Sequence, residues 1–224
     1  MSCSIRRGGC DDAPIVDRST DPRPAHRNGP ADRRVALLDA ALHLIGSGGM
    51  RAATQRAVER EAGLPHGSTT YYFRTRDQLI EAAVARLVEL DARHADELAH
   101  AISMALARRS ATGGELDVGA IAPALDSWLQ DDRTLHLART ELFLEAARRP
   151  EVRELMIAGG ERFIRLAEPI ALSAGSDDPA RDAQIGVAML LGIMLDQLWR
   201  PAPDFVTEVA PRALRKLLAA LSVQ

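Results

Sequence analysis

Two cysteines, Cys3 and Cys10, are all the chain contains, and neither sits in a metal-ligand spacing. A disulfide framework and a cysteine-built metal centre are thereby excluded, which suits a reducing compartment. Long hydrophobic runs are missing as well. The longest, Val187 to Leu195, is broken by Gly192 and is far shorter than the ~20 residues a membrane helix needs. The start of the chain has no apolar signal-peptide core. These absences make a cytoplasmic protein with no membrane partner the expectation. Aromatic residues are only 4% of the chain, and Lys216 is its single lysine. Arginine carries nearly all the positive charge, a bias that reads as genome composition rather than chemistry.

Catalytic constellations are missing too. No Ser-His-Asp, Cys-His, paired-carboxylate or phosphate-loop pattern stands out, and His94 and His100 are wrongly spaced to share a helix face. The chain is expected not to be an enzyme, and to carry no cofactor and no metal. No internal repeat is present.

What remains is a chain of 224 residues, 46% hydrophobic and rich in Ala and Leu. That composition points to an all-α protein large enough to bury a sizeable core. The net charge of −3 is unevenly distributed: residues 31–80 hold seven Arg against five Asp or Glu, while residues 81–224 sum to −6. A basic front on an acidic body fits a reader of nucleic acid whose body must not stick to phosphate.

The stretch from Thr54 to Arg76, TQRAVEREAGLPHGSTTYYFRTR, organises the rest. Thr54 is a good N-cap, and Ala57, Val58 and Ala62 give a short helix its apolar face. Gly63 supplies the residue tolerant of positive φ that a helix end wants. Pro65 cannot continue that helix but can begin another. The pattern predicts a second helix over His66–Phe73, with Thr69 and Phe73 turned inward. Thr75 and Gln78 read as a capping box opening a third. Two short helices joined by a Gly-containing turn form a helix-turn-helix, whose second helix enters the DNA major groove.

The segment AGLPHGSTTYYFRTRDQL (Ala62–Leu79) resembles the signature of TetR-family transcriptional regulators, roughly A-G-V-S-K-G-T-L-Y-x-H-F-x-x-K-x-x-L. Ala62, Gly63, Gly67, Phe73 and Leu79 match, Ser68 stands for Thr, and Arg76 stands for Lys. Pro65, His66 and Thr69-Thr70 depart from the usual Ser, Lys and Leu-Tyr. Arg33–Ile45 resembles the family's first helix. The likeness implies that Thr54, Gln55, Arg56, His66, Gly67, Ser68, Thr70, Tyr71, Tyr72 and Arg76 face DNA. Arg56 sits where the family can place a base-reading side chain, and arginine donates two parallel hydrogen bonds to guanine. Thr54, Ser68, Tyr72 and Arg76 suit phosphate oxygens.

Residues 1–30, rich in Pro, Gly, Asp and Arg, read as a disordered arm. Arg23, His26 and Arg27 would lie where such arms reach the minor groove. Residues 31–75 form the expected DNA-binding domain, its first helix capped by Asp32 and running to Ile45. Residues 76–224 form a helical regulatory and dimerisation domain. It opens with a long helix from Arg76 to about Ala107, and further helices follow around Ile121–Leu129, Arg133–Arg149, Val152–Ile170, Asp178–Trp199 and Leu214–Leu221. The centre of the penultimate one is apolar all round, which predicts burial on both sides, one against the domain core and the other against a second subunit. The expected partners are operator DNA, a second copy docked through Ala180–Trp199 and Arg212–Leu221, and an apolar or amphipathic effector. Trp128, His136, Arg139, Phe143, Met156 and Phe163 mix apolar surface with a few polar groups, as an effector cavity between helices would. The resemblance, taken with these features, implies a dimeric, ligand-responsive DNA-binding regulator, most often a repressor in that family. The competing readings are a regulator controlled by a partner protein and a small helical enzyme.

Overall fold

The computed structural model describes residues 29–131 and 133–221, and every regular element among them is a helix. The proposed arm falls outside them except for Gly29 and Pro30, which open the first helix instead. Arg23, His26 and Arg27 lie outside the described residues.

Helix α1 spans Pro30–Gly48. Its start precedes the expected Asp32 because Pro30 already has the helical φ. Asp32 still serves the end, accepting the Gly29 N–H at 3.0 Å. The helix-turn-helix is α2 (Gln55–Glu61) and α3 (Ser68–Tyr72). The latter is shorter than the pattern predicts because Gly67 has φ 88°, a left-handed value that no helix interior accepts.

Helix α4 runs from Arg76 to Thr112, 37 residues, or about 55 Å at 1.5 Å per residue. It stops at Gly113, whose φ is 66°. At its start the Thr75 hydroxyl accepts from Gln78 N–H at 3.1 Å. Gln78 answers one residue further back than a capping box requires, accepting from Arg74 N–H at 2.9 Å.

Helices α5 (Ala122–Asp131) and α6 (Arg133–Ala146) follow. The latter ends before the expected Arg149, which is extended at φ −121° ahead of Pro150, as residues preceding proline are. Helix α7 spans Pro150–Ser173, with Pro169 inside its last turns. Helix α8 spans Pro179–Trp199, capped by Asp178, and α9 spans Ala210–Leu221 after a π-helical turn.

Two cores result. The first joins α1, α2, Phe73 and the front of α4 (Leu79 to Leu87) to Ala138, Leu142 and Ala146 of α6 and Val152 of α7. The core of the front end is therefore closed by residues of α6 and α7. Where α1 crosses α6, a Cβ added to Gly46 would lie 2.0 Å from the Thr134 carbonyl oxygen. Only glycine allows that approach. The second core joins the rear of α4 to Ile121, Leu125 and Trp128, with Met194, Phe205 and Ala210.

Within the single chain, helix α8 buries one of its sides. Met194 and Leu198 face inward, while Ile185, Met189, Leu195 and Trp199 are exposed. Helix α7 adds exposed Ile157 and Leu172. On α9 the outward positions Arg212, Arg215 and Lys216 are charged, and the leucines Leu214 and Leu218 pack inward.

Candidate functional site

The front end is built by short-range bonds. Thr54 caps α2, its hydroxyl accepting from Ala57 N–H at 3.3 Å. Gly63 (φ 64°) and Gly67 turn the chain by backbone conformations that favour glycine. Thr69 and Phe73 are buried and hold α3 against α2. Thr69 also donates its hydroxyl to the Gln55 carbonyl at 3.3 Å.

One charged side chain is buried in this unit. The Glu59 carboxylate accepts from Gly67 N–H and Thr69 N–H, each at 3.0 Å, and lies 3.0 Å from His66 Nδ1. Burial by itself would push this carboxyl up. The bonds from Thr69, His66 and Gly67 outweigh it and hold the pKa below the ordinary value.

The candidate DNA-facing residues occupy one end of the molecule. Thr54, Arg56, His66, Gly67, Thr70, Tyr71 and Arg76 are exposed, and Gln55, Ser68 and Tyr72 are half-buried. Ser68 is turned back, donating to the Pro65 carbonyl at 2.6 Å. Tyr72 packs on the first core and meets the exposed Tyr71 edge to face, with centroids 4.9 Å apart. Arg76 donates to the Met50 carbonyl, which anchors it beside the α1–α2 turn.

Ion pairing of the arginines differs between the two regions. Arg33, Arg34, Arg51, Arg56, Arg60, Arg74 and Arg76 are all exposed, and none is paired with a carboxylate among the described residues. In the body, seven arginines are paired, Arg86, Arg108, Arg139, Arg149, Arg162, Arg165 and Arg200, while others such as Arg109, Arg133 and Arg153 donate to hydroxyl or carbonyl oxygens instead. The front thus presents uncompensated positive charge, which is what a phosphate backbone requires.

The body holds a cavity of about 190 Å³ among α4, α5, α6, α7, α8 and α9. Trp128, Arg139, Phe143, Met156 and Phe163 line it, together with Leu190 and Met194. His136 does not reach the wall. It is buried behind it, with Nε2 donating to the Trp128 carbonyl at 2.6 Å and Nδ1 accepting from Arg139 at 2.6 Å. An arginine can only donate, so His136 is neutral with its proton on Nε2. Burial and then the Arg139 charge depress its pKa to about 4.

Arg139 in turn forms a two-point pair with Asp91, which also lines the cavity. Trp128 stacks on Phe163 at 4.9 Å and 3°, and the Arg139 guanidinium lies 5.0 Å from its ring centre. The Trp128 indole N–H is buried and has no hydrogen-bond partner among the described residues. Asp182, at the N-terminal turn of α8, lines the cavity and accepts from the Ser176 hydroxyl at 2.6 Å. It has no cationic partner among the described residues.

Residues 37–83 match the family described as bacterial regulatory proteins, tetR family. Residues 112–220 match the tetracyclin repressor-like C-terminal domain. A solved TetR-family member from Streptomyces coelicolor A3 is 34% identical over 83% of this chain and 98% of its own, with a TM-score of 0.62. The chain belongs to the TetR family.

Other relatives of this TetR-family regulator agree. The HTH-type transcriptional regulator BetI of Rhizobium meliloti is 29% identical over 76% of this chain and 80% of its own length. The multidrug binding protein EbrR, solved with imidazole, is 33% identical over 83% of this chain and 94% of its own, with a TM-score of 0.57. It has also been solved with proflavin, malachite green and ethidium. The protein is a DNA-binding transcriptional regulator. No helix among its described residues is long and apolar enough to cross a membrane.

Sequence reasoning passed over Glu59, Asp91 and Asp182. Glu59 stands three residues before Ala62, on the inward side of its helix, and that spacing marks it. Asp91 meets Arg139 across 48 residues, a distance no local pattern reports.

Proposed function

We propose that this regulator is a homodimeric repressor that an apolar or amphipathic effector releases from its operator. The observation that carries the reading is the pairing, in one chain, of an uncompensated arginine face with an apolar cavity against the middle of α4, between Leu87 and Ile102. In this reading α3 enters the major groove, with Arg56, His66, Thr70 and Tyr71 toward bases. Thr54, Gln55, Gly67, Ser68, Tyr72 and Arg76 stand toward the backbone.

The effector would lie against Trp128, Phe143, Met156 and Phe163. Arg139 is neutralised by Asp91, so Asp182 leaves the wall with a net negative group. That favours neutral or cationic ligands over anions. EbrR's binding of malachite green supports the same class. A ligand that wedges α7 and α8 tilts α4, and α4 begins beside α3. Two recognition helices must stay roughly 34–36 Å apart to read both half-sites, so a small tilt breaks the register.

The second copy would dock on the exposed apolar face of α8. The charged outer face of α9 makes α7, with Ile157 and Leu172, the better second helix of that interface. Met189→Glu should therefore convert a sedimenting dimer to monomer; a wild-type protein already monomeric at micromolar concentration would rule the interface out.

Control by ligand is tested by calorimetric titration of malachite green into protein, alone and saturated with a duplex that it binds, after subtracting the heat of dye into duplex. Coupling between sites is reciprocal, so the dye should bind more weakly to the DNA complex by the factor through which it weakens DNA binding. Equal dye affinity in both titrations would sink the ligand-released reading.

A further inference from the structure

Glu59 is buried in the helix-turn-helix, yet the hydrogen bonds it accepts there come from outside its own helix. All three reach residues 66–69, where α3 begins. A helix start leaves backbone N–H groups without partners, and a Ser, Thr, Asp or Asn at the N-cap ordinarily accepts from one. Here the N-cap is Gly67, which has no side chain to offer, and Pro65 ahead of it has no hydroxyl. The carboxylate of the preceding helix takes over. Its Oε1 accepts from both Gly67 N–H and Thr69 N–H, which leaves Oε2 for His66. An ionised carboxylate only accepts, so Nδ1 of His66 must carry a proton. Nε2 is then the nitrogen left over on a ring that is itself exposed.

We propose that Glu59 is the positioning residue of the recognition helix, capping α3 from α2 and locking His66 with its proton on Nδ1, so that Nε2 is offered to DNA. This rests on the reading that α3 enters the major groove. Residues at the start of a recognition helix reach base edges, and the tautomer decides whether a neutral imidazole meets them as an acceptor or a donor. With Nδ1 protonated, neutral His66 presents an acceptor, which suits the exocyclic amine of adenine or cytosine.

Two substitutions separate the cap from the lock. In Glu59→Gln the amide oxygen can still accept from Gly67 and Thr69, but the amide nitrogen then donates to His66 and reverses the tautomer. Glu59→Ala removes both roles. Nitrogen-15 spectra at about pH 8.5, where an ordinary imidazole is neutral, should show His66 as the Nδ1–H form in the wild type and as the Nε2–H form in Glu59→Gln.

Duplexes selected from a random-sequence library by the wild type, Glu59→Gln and His66→Ala supply the functional arm. Glu59→Gln and His66→Ala should alter preference at the same base positions, with affinity for the wild-type duplex falling about tenfold, as for loss of one good base contact. Glu59→Ala should lose more affinity than either. An Nε2–H His66 in the wild type would overturn the proposal. So would changes at different bases in the two variants, or unchanged binding by Glu59→Ala. Failure of the wild type to enrich any duplex would instead overturn the major-groove reading, while the tautomer spectra would still report on the lock.

Discussion

The two cores of this regulator enclose their side chains differently. In the first, Leu37, Ile45, Val58, Leu79, Ile80, Leu87 and Leu142 are each 0% exposed. In the second, Leu98, Leu116 and Leu129 retain 8–9%, and Leu98 and Leu116 border the cavity of about 190 Å³, which reaches the first core only at its edge, at Leu87. Close packing gives a frame with one arrangement, whereas an unfilled apolar space forfeits dispersion contacts. The molecule concentrates its packing where the geometry of DNA contact must be fixed and leaves room where a ligand could enter. Charge differs between the two regions as well: among the described residues none of the exposed front arginines from Arg33 to Arg76 is paired with a carboxylate, whereas seven of the arginines beyond Arg76 are.

Matched truncations should expose the difference most strongly. Leu142→Ala in the first core should cost about 2–5 kcal/mol, the usual range for a leucine deleted from a tightly packed site. Leu190→Ala, which only enlarges an existing space, should cost about 1–2 kcal/mol, close to the transfer free energy alone. Chemical denaturation of both variants measures this, and equal losses would erase the distinction between the cores.

Acid should weaken the body through His136. Its folded pKa of about 4 lies below the ordinary histidine value, so the unfolded chain binds the extra proton between roughly pH 6.5 and 4. The stability held by neutral His136 is complete above that window and is lost as pH falls through it, by about 3 kcal/mol at most. His136→Gln should flatten that part of the stability–pH curve. An unchanged slope would mean that the His136 bonds do not matter to folding. Glu59 has the same sign at lower pH, since its depressed carboxyl pKa stabilises the front above the carboxylate range and ceases to do so below it.

The smallest effects concern the arginines. Arg56→Ala should cost about 1–3 kcal/mol in binding a selected duplex and relax preference at one or two bases. Arg165→Ala, which breaks only the exposed pair with Glu161, should leave DNA binding unchanged and alter stability by about 0–1 kcal/mol. Filter binding across a salt series distinguishes them; equal losses would mean that the front's unpaired charge has no special part.

Local signals in the sequence carried much of this architecture. Thr54, Gly63 and Asp178 act through bonds or dihedrals within a few residues of themselves, so their roles were legible. The helix starts at Pro30 and Ser68 were shifted by backbone angles at single residues, which periodicity does not report. The apolar centre of α8 was legible as apolar, but which side faces outward is decided by α7 and by the cavity. Five of the six cavity candidates came together because aromatic and Met residues on successive helices tend to converge. His136 went behind the wall because the Trp128 carbonyl and Arg139 hold it there. The bond from Glu59 to α3 crosses a turn, and the Asp91–Arg139 pair crosses two helices. Neither leaves a repeating trace in the chain.

The closeness of α1 to α6 at Gly46 gives operator DNA a second role. Because Leu142 and Val152 close the core shared with α1 and α2, the front is expected to melt together with the body rather than in a transition of its own. Any duplex that binds only the folded front must then raise the melting temperature of the whole chain, by an amount set by its concentration relative to its dissociation constant. The operator would act as a folding ligand for helices it never touches, and a regulator leaving its DNA would give up that protection along its entire length.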